Sequence, residues 1–343
     1  MIKVTAVSRQ HHKSDSSEDS PLSCSSPRFR LSLLLAAVLW LVADETRSSS
    51  LSDQPQEHHS EVELLYVSDY FSFVGQDETG RVAFALDNNR GRDGAAFQAE
   101  HFVVLHDERQ GWITSAGNGL YDNPLHELQS IPDSSFFHFV GTPVTGLTIS
   151  SEINELTLHI EPIIHRSRHE HEGAVTWMGS APARLTWKTR SIPGRVIYEY
   201  LRIPNFNRLT RTYWDLWNDF QGLYLTTGDG GDLYLHSQRS ERLGPLVGRL
   251  AGFTASDEET EHVKELRFEI TEREWALGFY RWPEAWHITW QDRHGAAGLS
   301  IRRIDRRRIA GWVIGGFSMA IVTGELDYGG KTVPVYGFAE LLM

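Results

Sequence analysis

The stretch Gly194-Arg195-Val196-Ile197-Tyr198-Glu199-Tyr200 decides the fold. Val196, Tyr198 and Tyr200 alternate with Arg195, Ile197 and Glu199, so successive side chains fall on opposite faces of an extended strand. The same period recurs in both directions along the chain. Val82, Phe84 and Leu86 alternate with Arg81, Ala83 and Ala85, and Leu156, Leu158 and Ile160 with Thr157, His159 and Glu161. Further on, Leu233-Tyr234-Leu235-His236, Leu266–Ile270 and Trp286–Trp290 repeat it. Turn chemistry separates the runs: Asp93-Gly94, Gly228-Asp229-Gly230-Gly231 and Gly329-Gly330. Many short strands with Gly-rich turns predict an all-β protein, an antiparallel barrel or sandwich. No strand–helix alternation favours a doubly wound fold. One segment departs from the pattern. Leu209, Tyr213, Leu216, Trp217 and Phe220 form a helical stripe, bounded by Pro204-Asn205 and Gly222, which predicts a short helix over 208–220.

The chain has 343 residues, 40% of them hydrophobic, which is enough for a core. A net charge of −12 argues against nucleic acid as the main partner, because phosphate binding needs a basic face. Cys24 is the only cysteine, which excludes intrachain disulfides, thiolate zinc sites and iron–sulfur clusters. Residues 1–30 are polar, with eight serines, and read as a disordered tail. Leu31–Ala43 is an apolar run of 13 residues after Arg28-Phe29-Arg30. It is shorter than the roughly 20 residues a spanning helix needs, and reads as a signal-peptide core or a short anchor of an exported, membrane-associated protein. Residues 44–60 read as a linker, 61–200 as an N-terminal β-barrel half and 201–343 as a C-terminal one. Gly80-Arg81-Val82-Ala83-Phe84 is echoed by Gly194-Arg195-Val196-Ile197-Tyr198, as two stacked halves would give.

Eight of the 11 tryptophans fall between Trp187 and Trp312. They read either as a β-rich core or as the lining of a pocket for flat apolar ligands or sugar faces. Trp282, Trp286 and Trp290 cluster, and Tyr213-Trp214-Asp215-Leu216-Trp217 sets a carboxylate among indoles. Burial there would raise the pKa of Asp215 and suit it to general-acid work, whereas the helical stripe would put it on the wet face. His165-x-x-x-His169-Glu170-His171-Glu172 reads as a metal-ligating strand or as a solvated loop, with Arg166 and Arg168 repelling a cation. Asp87–Gly94 reads as a hairpin loop closed by Arg–Asp pairs. Arg302-Arg303 and Arg306-Arg307-Arg308 read as a solvated turn, or as a patch meeting a membrane surface or an acidic partner.

Tyr70-Phe71-Ser72-Phe73-Val74-Gly75 with Gly80-Arg81-Val82-Ala83-Phe84 resembles the opening strands of the carotenoid 1,2-hydratase and AttH-like family. Tyr213-Trp214-Asp215-Leu216-Trp217, the strand pair at Leu223–Leu225 and Gly231–Leu235, and the closing Gly324–Lys331 and Tyr336–Glu340 are similar to later segments of that family. The resemblance spans roughly 70–343. It implies two lipocalin-like halves around a hydrophobic pocket. The activities it implies are water addition to isoprenoid double bonds, cyclisation and pericyclic ring closure. On this reading the protein binds a lipophilic, isoprenoid-like small molecule, with cofactor-free acid chemistry if it is catalytic. Asp215 leads as the acid, with Glu199 and Asp232 as substitutes. Tyr213, Trp214, Trp217, Trp282, Trp286 and Trp290 would line the pocket. A carrier would use the same pocket without the acid. Two rivals stand beside it. One is a carbohydrate-binding or glycan-cleaving β-sandwich using Glu199, Asp215, Asp219 or Glu274. The other is a structural envelope protein without a ligand.

Overall fold

The computed structural model describes residues 65–93, 96–120, 136–164, 166–171, 174–204, 220–239, 246–254, 261–276, 280–292, 295–310 and 317–342, together with Ile131 and Asp133. Among them every regular element is a strand. The period-two runs become β1 (Leu65–Asp77), β2 (Gly80–Asp93), β3 (Ala96–Asp107), β4 (Gly111–Leu120), β5 (His138–Thr142), β6 (Gly146–Ser151), β7 (Leu156–Ile160), β8 (Arg166–His171), β9 (Ala174–Trp187) and β10 (Arg190–Pro204). These form one antiparallel sheet in the order β4-β3-β2-β1-β10-β9-β7-β6-β5, with β8 also on β9. The second sheet contains β11 (Phe220–Thr227), β12 (Asp232–Arg239), β13 (Leu246–Thr254), β14 (Glu261–His262), β15 (Lys264–Ala276), β16 (Tyr280–Asp292), β17 (Gly295–Ala310), β18 (Phe317–Tyr328) and β19 (Lys331–Leu342). Its order is β14-β13-β12-β11-β19-β18-β17-β16-β15. It curls until β13 lies beside β15. Both sheets belong to one unit, Ser60–Met343.

Alternation divides each sheet into two apolar faces. Phe71, Phe73, Phe84, Leu86, Val196 and Tyr198 point into the interior of the first sheet. Leu223, Leu233, Trp286, Trp290, Leu299 and Leu341 fill the interior of the second. The opposite faces meet. Tyr70, Ala83, Ala85, Val104, Met178 and Ile197 of the first sheet pack on Tyr224, Tyr234, Met319, Ile321, Tyr336 and Phe338 of the second. A strand buried on both faces loses the polar half of its pattern, which is why Val82–Leu86 is apolar throughout. The turns are those the glycines predict. Gly329 (φ 54°) and Gly330 (φ 76°) both occupy the left-handed region that a tight hairpin between β18 and β19 requires.

Three expectations are corrected. The echoed segments are β2 and β10, which flank β1 in a single sheet, so the repeat does not relate two halves. Asp87–Asp93 is strand, not loop, and Asp87 pairs with Tyr70. The arginine run is also strand, within β17. Arg302 is held by Glu272 and Glu284, Arg303 by Glu274, and Arg306 lies over the ring of Trp282, 4.5 Å from its centroid. Opposite charges from β15 and β16 make the run compatible with a sheet. Residues 208–219 of the expected helix lie outside the described residues, as do 1–64, and Phe220 opens β11.

Two tyrosines cross from the second sheet to the first. The ring of Tyr234 lies over Gly252, where a Cβ would sit 2.2 Å from its hydroxyl. That hydroxyl meets Ser167 Oγ on β8 at 2.5 Å. Gly252→Ala should therefore lower unfolding free energy by about 1–3 kcal/mol, the usual range for overpacking. Gly298→Ala, whose Cβ would meet nothing within 4 Å, should stay within about 0.5 kcal/mol of wild type in the same urea titration.

Candidate active site: a buried acid cluster between the sheets

Strand register builds a row of side chains on the meeting face. Asp87 of β2 lies opposite Tyr70 of β1, and Tyr70 lies opposite Glu199 of β10. On the facing sheet, Gly222 of β11 lies between His236 of β12 and Glu340 of β19. Gly222 has a reason to lack a side chain. A Cβ there would stand 3.2 Å from the hydroxyl of Tyr224. The phenol thus leans back over Gly222 toward the first sheet. Its ring contacts Tyr70, with centroids 4.7 Å apart.

Tyr224 joins the two rows. Its hydroxyl donates to Glu199 Oε2 at 2.8 Å and lies 3.5 Å from Glu340 Oε2. His236 Nε2 stands 3.1 Å from the Tyr224 oxygen and 3.5 Å from Glu199 Oε2. With the phenol proton given to Glu199, the imidazole is the donor to Tyr224. Phe220 packs edge-on against His236, with centroids 5.2 Å apart. Asp87 accepts from Ser68 Oγ (2.7 Å) and from Asn89 Nδ2 (2.9 Å). The Tyr70 hydroxyl is buried in this cluster and has no hydrogen-bond partner among the described residues.

Three carboxyls meet here, and among the described residues no lysine or arginine is bonded to them. Electrostatics follows. Burial pushes the Glu199 carboxyl up to about 7, against a smaller opposing pull from the Tyr224 hydrogen bond. Burial, with the Asp87 and Glu199 charges added, holds Glu340 well above the ordinary range. Asp87 is raised to about 6 by burial, partly offset by Ser68 and Asn89. Burial lowers His236 to about 4, so its ring is neutral. The cluster is a store of protonated carboxyl at neutral pH, linked by one phenol and one imidazole.

The structure brings Glu199 into this cluster and places Asp232, Trp282, Trp286, Trp290 and Glu274 outside it. Asp232 lies on the same face but accepts from Arg195 Nε at 2.5 Å, a bridge from sheet to sheet. Burial raises it to about 6 despite that cation. Trp282, Trp286 and Trp290 fill the interior of the second sheet, away from the face that carries Glu199. Trp286 Nε1 donates to Gln221 Oε1 at 2.7 Å. Tyr213, Trp214, Asp215, Trp217 and Asp219 lie outside the described residues. The connection that holds them leaves β10 five residues after Glu199 and re-enters at Phe220, beside His236. Glu274 is a surface partner of Arg303. His169 Nε2 meets Ser167 Oγ at 3.2 Å, and among the described residues no group of three His, Cys, Asp or Glu is arranged to hold a metal.

Asp87, Tyr224, His236 and Glu340 were not singled out from sequence. A signal existed for three of them. Asp87 continues the phase of Ala83 and Ala85, His236 that of Tyr234, and Glu340 that of Tyr336 and Phe338. A charge in the phase of buried residues at a strand's end marks a polar cluster inside the protein.

The pH dependence of stability has a defined sign. The folded-state pKa of Glu199 lies above its ordinary value of 4.5, so its contribution is complete below about 4.5 and is lost as pH rises through about 7. His236 acts oppositely, contributing above about 6.5 and losing that contribution as pH falls toward 4. Glu199→Gln keeps an acceptor for Tyr224 and removes the acid. It should exceed wild type in stability by on the order of 3 kcal/mol near pH 8, with the gap closing toward pH 5, in urea titrations at each pH.

No family model and no curated relative matches the sequence. Solved structures do match the fold. A protein assigned as AttH from Nitrosomonas europaea superposes with a TM-score of 0.53 at 12% identity, covering 86% of this chain and 98% of that one. Kievitone hydratase from Nectria haematococca gives 0.50 at 11%, covering 80% and 88%. CghA in complex with Sch210972 gives 0.51 at 10%, covering 81% and 88%. The chain thus has the all-β, lipocalin-like architecture of the AttH and hydratase structures, at a sequence distance where the likeness is one of fold.

Proposed function

We propose that this protein catalyses a hydration- or cyclisation-type reaction on a lipophilic, isoprenoid-like small molecule, using the Glu199–Tyr224–Glu340 cluster as acid. The observation that carries this reading is the pair of largely buried carboxyls bridged by Tyr224, with no lysine or arginine bonded to them among the described residues. A carboxyl raised to about 7 is protonated in part at neutral pH, as a general acid must be. It gives its proton to a carbon–carbon double bond, leaving a carbocation. In hydration, water adds to the cation and its surplus proton returns to the Glu199 carboxylate. In cyclisation, a second double bond of the same molecule closes on the cation, and loss of a proton to the carboxylate ends the sequence. Tyr224 and His236 hold the carboxyl in place. The aromatic faces of Tyr70 and Tyr224 offer π density to a cation.

The fold likeness to a kievitone hydratase supports the hydration reading of this class. The apolar surroundings of the cluster, with Ala83, Ala85, Ile197 and Phe338 along the same face, support a greasy substrate. The charge of −12 supports a partner other than nucleic acid. The proposal also has the protein exported to the cell envelope by residues 31–43, which N-terminal sequencing of the envelope-associated chain would test.

Polyene alcohols and alkenes incubated with the protein, with products resolved by mass, provide the test. Glu199→Gln should lower kcat by about a hundredfold or more with little change in KM. Tyr224→Phe should lower it by about tenfold and shift the basic limb of the pH profile. Wild-type kcat should fall as pH rises through about 7, because the acid must be protonated. Turnover of Glu199→Gln at the wild-type rate would remove the acid role.

A further inference from the structure

A second polar row crosses the first sheet on its other face. Trp177 of β9 lies opposite Tyr200 of β10, Tyr200 opposite Asp69 of β1, and Asp69 opposite Asn88 of β2. Phase places the row inside the first sheet, since Val67 and Phe71 flank Asp69 and Leu86 precedes Asn88 in the interior cluster. Asp69 is 2% exposed and accepts from the Tyr198 hydroxyl at 2.5 Å.

Asn88 is the unusual member. It is 0% exposed, and among the described residues both its Oδ1 and its Nδ2 lack a hydrogen-bond partner. Trp177 Nε1, on the same face, lacks one among the described residues too. An amide buried with donor and acceptor both unspent is rare and strongly unfavourable, and such groups are normally met by a ligand or by ordered water. This face is separate from the acid cluster, because successive residues of one strand point to opposite sides: Asp69 and Asn88 inward, Tyr70 and Asp87 toward the second sheet.

We propose that the interior of the first sheet is a second binding site, for an apolar alcohol whose hydroxyl is held by Asn88. A hydroxyl donates to Oδ1 and accepts from Nδ2 at once, so it satisfies both unspent atoms. A carbonyl can only accept, which leaves Oδ1 without a donor. A hydrocarbon satisfies neither. The aliphatic and aromatic side chains around the row, Val67, Phe71, Leu86 and Val103, suit the rest of such a molecule.

Decyl alcohol, decanal and decane share one chain and differ in the polar end, so they separate these cases. Quenching of tryptophan fluorescence, which Trp177 beside the row should report, gives the affinities. Decyl alcohol should bind about tenfold tighter than decanal and more tightly still than decane, a factor of ten being one net hydrogen bond. Asn88→Leu, close in shape, should cut the alcohol's affinity by about tenfold and leave decane unchanged. Equal binding of the three by wild type would overturn the proposal, with no variant needed. So would an alcohol preference that survives in Asn88→Leu. Binding of none of the three would assign Asn88 to ordered water and overturn it as well.

Discussion

The hydroxyl of Tyr224, reaching from its own sheet to the Glu199 carboxyl of the other, is the contact around which this molecule is arranged. It places one hydrogen bond on Glu199 and lies 3.5 Å from Glu340 Oε2. For the phenol to reach, Gly222 must leave space beneath it, and the sheets must approach closely, as Ala83 and Ala85 allow. Apolar packing drives that approach, and the polar groups are carried into the interior with it. Drawing three carboxyls largely out of water, with no lysine or arginine bonded to them among the described residues, opposes folding when they are charged. At neutral pH the molecule resolves this by keeping the proton on Glu340 and, in part, on Glu199, while Ser68 and Asn89 hydrogen-bond Asp87. The feature that costs stability at high pH is the one that supplies an acid at neutral pH.

Charged groups serve different ends at different places on the same face. At Arg195–Asp232 a cation meets a carboxylate across the sheets, and the pair is a fastening. At Glu199 and Glu340 no cation is bonded, and the carboxyls remain proton donors. Arg190, held between Asp77 and Asp107, is another fastening, and Asp77 is accordingly driven well below the ordinary carboxylate range by that guanidinium. Stability and chemistry are thus assigned to different carboxylates by what stands beside them.

Much of the fold was legible in the sequence because strand periodicity is local. Val196, Tyr198 and Tyr200 reveal a strand without knowledge of its neighbours. Register is not local, and errors follow from that. Asp87 looked like a loop residue because Asn88, Asn89 and Gly91 surround it, whereas pairing with β1 holds it in a strand. The arginines of β17 looked like a solvated turn because their partners, Glu272, Glu274 and Glu284, come from β15 and β16. Glu199 was read as a candidate acid from the chain alone. Its partners come from β11, β12 and β19, which no spacing along the sequence connects. The tryptophans carried two readings, core and pocket; Trp286 and Trp290 lie buried in the interior of the second sheet.

The central claim is that a carboxyl between the sheets keeps its proton at neutral pH. Carbon-13 NMR of glutamate side chains, titrated in the folded protein and compared with Glu199→Gln, reads this directly. The account predicts a carboxyl resonance titrating near 7 that is absent in the variant. Glutamates that all titrate below about 5, as exposed ones do, would contradict it.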